Sequence, residues 1–183
     1  MVDWWIMALA SEIENIVKRE DLYPDVSAKF LDRLSEGQLT RDENPTSHFC
    51  VYFAPYNPRT KKVFLGHHKK SGLWLFNGGH IDANENILHA LTREMDEEWG
   101  MRFAPENFPF LLFVTEITSN PAGRPCKRHF DIWYKIPIDV EPAFDAEKLA
   151  TEFYETRWMS IAEAEKLVTD PSTLEALTVF NSA

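Results

Sequence analysis

Apolar residues recur at three- and four-residue steps near the start of the chain, at Trp5, Ile6, Leu9, Ile13, Ile16 and Val17. That spacing predicts an amphipathic helix over residues 4–19. A second helix is predicted over Val26–Leu34, ending at Gly37. The polar run Arg41–Ser47, with Pro45, reads as a linker between a helical extension (1–40) and a main domain (41–183). Beyond it the pattern shortens to the apolar runs of strands. Phe49–Ala54 is the first, closed by a turn through Pro55, Asn57 and Pro58. Lys62–His67 and Leu73–Phe76 are the next two, joined by the basic loop His67–Gly72. The third runs directly into Asn77-Gly78-Gly79.

A longer helix is predicted over Ile87–Trp99. Asn86 can accept an orphan backbone N–H as its N-cap, and Gly100 suits the left-handed residue after its end. Asn84 tolerates the left-handed conformation that a tight entry loop needs. At about 100° per residue, Ile87, Leu88, Leu91, Met95 and Trp99 share an apolar face, and Glu94, Glu97 and Glu98 fall on an adjoining strip.

Strands are predicted over Phe110–Thr118 and Arg128–Ile136, separated by a turn at Asn120–Gly123. In the second of these, His129, Asp131, Trp133 and Lys135 face one side and Phe130, Ile132, Tyr134 and Ile136 the other. A short strand at Thr156–Met159 and helices at Ile161–Val168 and Ser172–Phe180 complete the chain, with Asp170-Pro171 between the helices.

With 183 residues, 44% of them hydrophobic, and thirteen Phe, six Trp and five Tyr, the chain can bury one substantial core. A formal charge of −10 argues against duplex nucleic acid as a partner, because it offers no excess of positive charge to displace phosphate counterions. The apolar start MVDWWIMALA lacks a basic leader and is too short to span a membrane, which gives the expectation of a cytoplasmic protein. Of the two cysteines, Cys50 lies in an apolar run and Cys126 follows a turn. Neither belongs to a set with zinc-ligand spacing along the chain.

The stretch Gly79–Met101, GHIDANENILHALTREMDEEWGM, fixes Gly79, Glu85, Arg93, Glu94, Glu97, Glu98 and Gly100, with Met95 and Met101 in apolar positions. At about 0.07 per fixed residue, seven such positions over roughly 160 windows arise by chance on the order of 10⁻⁶ times. The pattern G-x5-E-x7-R-E-U-x-E-E-x-G-U resembles the Nudix box, so the chain is similar to the Nudix hydrolases over these residues. The C-terminal passage EFYETRWMSIAEAEKL loosely resembles the strand and helix that end many Nudix domains. The fold implied is a Nudix-type α/β/α sandwich with a mixed β-sheet, here with an N-terminal helical extension. One departure is Asn77, where many members carry Pro before the double glycine; it changes loop stiffness and removes no ligand.

Three carboxylates at i, i+3 and i+4 repel one another on a bare helix, so a divalent cation rationalises the arrangement. Oxygen ligands select Mg²⁺, with Mn²⁺ as a substitute. The resemblance implies Glu97 and Glu98 as main metal ligands with the Gly78 carbonyl. It implies Glu94 as a further ligand or the residue that positions water, and Arg93 and Glu85 as residues that orient the glutamates. An additional acid from outside the box is expected, and Glu116 and Asp131 are the candidates because a charged strand residue is costly unless it faces a cleft or a partner. His67, Lys69, Trp74 and His129 are candidate substrate contacts.

The expected function is Mg²⁺-dependent hydrolysis of a small-molecule diphosphate, a nucleoside diphosphate linked to another group. Two other readings stand beside it. One is a nucleotide-sensing Nudix-fold module without catalysis. The other is a prenyl diphosphate isomerase with Cys50 as the reactive thiol. The N-terminal helices are read as a cap on the core, with a homodimer contact or a substrate lid as the alternatives.

Overall fold

A computed structural model describes residues 4–19, 23–117, 123 and 125–181. Two helices come first, α1 (Trp4–Val17) and α2 (Pro24–Ser35). They are followed by β1 (Ser47–Asn57), β2 (Lys62–His68), β3 (Trp74–Leu75), β4 (Asn77–His80) and α3 (Ile87–Trp99). The remainder is β5 (Leu111–Glu116), β6 (Arg128–Pro137), α4 (Ala146–Glu152), β7 (Phe153–Ser160), α5 (Ile161–Leu167) and α6 (Pro171–Asn181).

The seven strands form one mixed sheet in the order β3-β2-β1-β6-β5, with β4 also on β1 and β7 on β2. β1 and β6 are parallel; the other pairs are antiparallel. Alternate residues of β1 and β6 feed different cores. Phe49, Val51, Phe53, Phe130, Ile132 and Tyr134 join Leu91, Met95 and Trp99 of α3 on one face. Ala54, Leu65, Trp133 and Met159 meet Ala164, Ala176, Leu177 and Phe180 of α5 and α6 on the other. The result is the expected α/β/α sandwich with a mixed sheet.

The N-terminal helices bury Leu9, Ile13, Val17 and Phe30 in the same cluster as α3. The Phe30 ring meets Phe49 and Phe130 edge-on at centroid distances of 5.7 and 5.3 Å. Arg33, 2% exposed, donates to the Gly37, Gln38 and Ser47 carbonyls at 2.7, 2.7 and 2.6 Å. It thereby ties the segment after α2 to the start of β1.

Several boundaries differ from the sequence reading. β1 runs through Pro55 to Asn57 instead of turning there. Pro55 falls where β1 changes its edge partner from β4, paired up to Phe53, to β2, paired from Tyr56, so its missing N–H breaks no pair on that edge. Asn77–Gly79 belongs to a strand, β4, and not to a loop. The alternation predicted for Arg128–Ile136 does not divide solvent from core. β6 is a central strand with helices on both sides, so Phe130 through Tyr134 are all buried. Helix α4 went unpredicted, and β7 begins at Phe153 instead of Thr156. The turn at Asn120–Gly123 lies outside the described residues except for Gly123.

Candidate active site

Helix α3 starts and stops where its caps dictate. The Asn86 side chain accepts the His89 N–H at 2.8 Å, Asn84 takes φ 69°, and Gly100 takes φ 65° with its N–H on the Asp96 carbonyl. One cap comes from far away in sequence: a Glu12 carboxylate oxygen of α1 accepts the Ile87 N–H at 3.1 Å. A carboxylate at a helix N-terminus also complements the helix dipole.

The glycines of β4 let α3 approach. A Cβ on Gly79 would lie 2.0 Å from the Glu94 carboxylate, and one on Gly78 would lie 2.5 Å from the Val51 carbonyl oxygen. Against this strand the box residues converge on Arg93. Its Nε and Nη2 donate to the two Glu85 oxygens at 2.6 and 2.8 Å, a bidentate fork. Nη1 donates to Glu94 Oε1 at 2.7 Å and to Glu97 at 3.4 Å, and Nη2 also reaches the His80 carbonyl at 2.9 Å. Hydrogen bonding to Glu85 raises the pKa of the guanidinium. Burial works against Glu85 ionising, yet the Arg93 bonds hold its carboxyl below the usual range.

Glu98 is not on the helix margin. At about 100° per residue it falls about 20° from Ile87, inside the packing face, and it is 8% exposed. Leu88, assigned to the apolar face, is instead 58% exposed in the first turn, where nothing covers it. Burial pushes the Glu98 carboxyl well above its ordinary value and raises Glu94 as well. The Asn77 amide nitrogen donates to Glu98, while Asn77 Oδ1 is buried with no hydrogen-bond partner. Asn77, read from sequence as a change in loop stiffness, therefore holds a glutamate. The only signal for it was the missing proline. The donor set suits a hard divalent cation, since three carboxylates and a strand carbonyl offer oxygen alone and two of the carboxylates are disfavoured as bare anions.

The other candidates lie apart from Arg93. Glu116 is exposed at the end of β5 and pairs with Arg128 at 2.6 Å. Asp131 is fully buried on β6, accepts the Thr115 hydroxyl, and is pushed up to about 8 by burial. His67, Lys69 and Trp74 gather on the β2–β3 hairpin. The His67 ring stacks on Trp74 at 5.5 Å, Arg157 covers the Trp74 ring at 4.8 Å, and Lys69 donates to the Ala150 carbonyl. Trp74 is thus already contacted by two side chains, His67 and Arg157. Burial, then His48, hold His129 down at about 4, so its ring is neutral. It sits with His48, Cys50 and His80 on the sheet face opposite α3, a grouping set by strand register and invisible to spacing along the chain.

A glycine-lined strand beside a helix that presents three glutamates, on an α/β/α sandwich, defines the class of site. The model of the NUDIX domain family matches residues 45–177, and the chain belongs to that family. Nudix hydrolases use a divalent metal. The chain is 45% identical over 49 residues to the 8-oxo-dGTP diphosphatase of Buchnera aphidicola, covering 26% of this chain and 40% of that protein. It is 31% identical over 113 residues to Nudix hydrolase 6 of Arabidopsis thaliana, covering 58% of this chain and 37% of that protein. The matches thus span about two fifths of the length of these curated relatives. Among solved structures, the dihydroneopterin triphosphate pyrophosphohydrolase of E. coli shares the fold with a TM-score of 0.59 at 18% identity, covering 70% of this chain and 91% of that one. Among the described residues no helix is long and apolar enough to cross a membrane.

Proposed function

We propose that the chain is a Mg²⁺-dependent pyrophosphohydrolase that cleaves the diphosphate of a nucleoside diphosphate linked to another group, a further phosphate included. The observation that carries this reading is the convergence of Glu85, Arg93, Glu94, Glu97 and Glu98 on β4, with Glu94 and Glu98 disfavoured as bare anions. Glu97, Glu98 and the Gly78 carbonyl would hold the metal. Bound there, a divalent cation polarises phosphoryl oxygens and lowers the pKa of a coordinated water.

The chain's own residues do the rest. Arg93, fixed by both Glu85 oxygens, occupies Glu94 Oε1 and leaves Oε2 free to accept a proton. The raised Glu94 carboxyl is a better base toward water than an ordinary carboxylate. As the water oxygen bonds to one phosphorus, the bridging P–O bond breaks, the departing phosphate takes that bond's electron pair, and the water proton passes to Glu94. Asn77 holds Glu98 in place throughout. The names of two similar proteins, acting on 8-oxo-dGTP and on dihydroneopterin triphosphate, support a nucleotide-like substrate.

The test is product identification by chromatography after incubating the protein with Mg²⁺ and a panel of nucleoside triphosphates, dinucleotides and nucleotide sugars. Release of a nucleoside monophosphate from at least one compound is expected. Binding without any product across the panel would refute the reading.

A further inference from the structure

The polar grouping on the far face of the sheet is outside the glutamate site and outside the mechanism above. The parallel register of β1 and β6 sets His48 opposite His129, and the antiparallel register of β1 and β4 sets Cys50 opposite His80. His48 and Cys50 are two residues apart on β1, so both side chains leave the same face. Three adjacent strands thus deliver three imidazoles and a thiol to one place. One ligand atom from each of the four residues lies within 4.8 Å of all the others.

The rings meet edge-on or tilted instead of stacking. Their centroids are 4.8, 4.9 and 5.2 Å apart, with interplanar angles of 64°, 42° and 86°. The His48 Nδ1–H bonds the Asn44 carbonyl at 2.8 Å, which leaves Nε2 as the lone-pair nitrogen facing the group. His129 Nε2 is buried with no hydrogen-bond partner. Cys126 Sγ stands 4.0 Å from both His48 Nε2 and His80 Nε2, at the margin of the group. His48 and Cys50 are 0% and 1% exposed. A buried imidazole nitrogen without a partner is costly unless something satisfies it.

We propose that His48, Cys50, His80 and His129 form a second metal site, of three-nitrogen, one-sulfur type, that takes a zinc-class divalent cation. Nitrogen and thiolate donors favour Zn²⁺ and exclude Mg²⁺, which seeks oxygen. Bonds of about 2.0–2.1 Å to nitrogen and 2.3 Å to sulfur put tetrahedral donors about 3.3–3.6 Å apart, so the group closes on an ion with modest side-chain rotation. As the sulfur–metal bond forms, the Cys50 thiol proton leaves to solvent. The ion would cross-link β4, β1 and β6. It would also fix the His80 backbone, whose carbonyl receives Arg93. The site is thus a structural clamp behind the glutamates, and it stands whether or not the diphosphate reading holds.

The full chain, purified without chelator, is expected to carry about one zinc per chain by elemental analysis. Co²⁺ exchanged into it should give intense visible d–d bands of tetrahedral type with a thiolate charge-transfer band in the near ultraviolet. Cys50→Ser should lose the charge-transfer band, His129→Gln should weaken retention at least tenfold against a competing chelator, and Glu97→Gln should change neither. Stripping zinc from the unaltered chain should lower its melting temperature, with recovery by Zn²⁺ and none by Mg²⁺. Absence of stoichiometric zinc together with an octahedral Co²⁺ spectrum would overturn the proposal. So would a tetrahedral spectrum that survives both Cys50→Ser and His129→Gln.

Discussion

Gly79 and His80 are neighbours in β4, yet they face polar clusters of opposite kind. Toward α3, three box glutamates (Glu85, Glu94 and Glu97) converge on one guanidinium and Asn77 holds Glu98, all four glutamates being oxygen acceptors. Toward the other face the chain gathers three imidazoles and a thiol, with His48 and Cys50 buried and His80 and His129 half-buried. The first cluster is built within one helix and its entry loop, and its Glu97 side chain is 60% exposed to arriving molecules. The second is built across three strands and is closed over His48 and Cys50. Chemistry on a dissolved substrate needs the first arrangement. A cluster set between strands, with His48 and Cys50 buried, suits a structural role.

Glu98→Gln breaks the comparison hardest. It removes the buried charge while keeping the shape, so turnover should fall on the order of 10²- to 10³-fold in steady-state assays. Thermal stability without metal should be unchanged or higher, because the desolvated carboxylate is gone. Next comes the pair of glycines. Gly79→Ala drives a methyl into the Glu94 carboxylate, a movable side-chain end, and should cost about 10²-fold in turnover with little change in unfolding. Gly78→Ala meets the Val51 backbone instead and should lower unfolding free energy by about 1–3 kcal/mol in denaturant titration.

A smaller effect tests how far the N-terminal helix supports the box. Glu12→Ala removes the acceptor for the Ile87 N–H and should destabilise the chain by about 1 kcal/mol. The smallest lies outside both clusters. Burial works against Glu152 ionising, but Lys70 and His68 hold its carboxyl below the ordinary value. A depressed carboxylate stabilises the fold above its unfolded pKa of about 4.5, and that contribution is lost as pH falls. Glu152→Gln should therefore flatten the acid limb of a stability–pH curve by about 0.5 kcal/mol and leave neutral-pH turnover unaltered.

The box helix was legible because its determinants are local. Asn84, Asn86, Gly100 and the apolar positions of α3 lie within one short stretch, and all but Leu88 do what their chemistry dictates. The burial of Glu98 followed from the same angular arithmetic but was obscured by grouping it with Glu94 and Glu97. What escaped was set by distant segments. Glu12 caps a helix 75 residues on, and Asn77 reaches Glu98 across 21 residues. The His/Cys group joins strands whose pairing no spacing rule encodes. Helix α4 carries a single buried residue, Leu149, so it left almost no apolar period to read.

The central claim is that the glutamate face, not the opposite one, performs metal-dependent hydrolysis. It is tested most directly by titrating turnover with Mg²⁺ in the unaltered chain and in Glu97→Gln, on a nucleotide that the chain cleaves. The account predicts hydrolysis that is absent without added Mg²⁺, saturates as it is added, and collapses in the variant. Hydrolysis that proceeds equally in Glu97→Gln, or that ignores Mg²⁺, would contradict it.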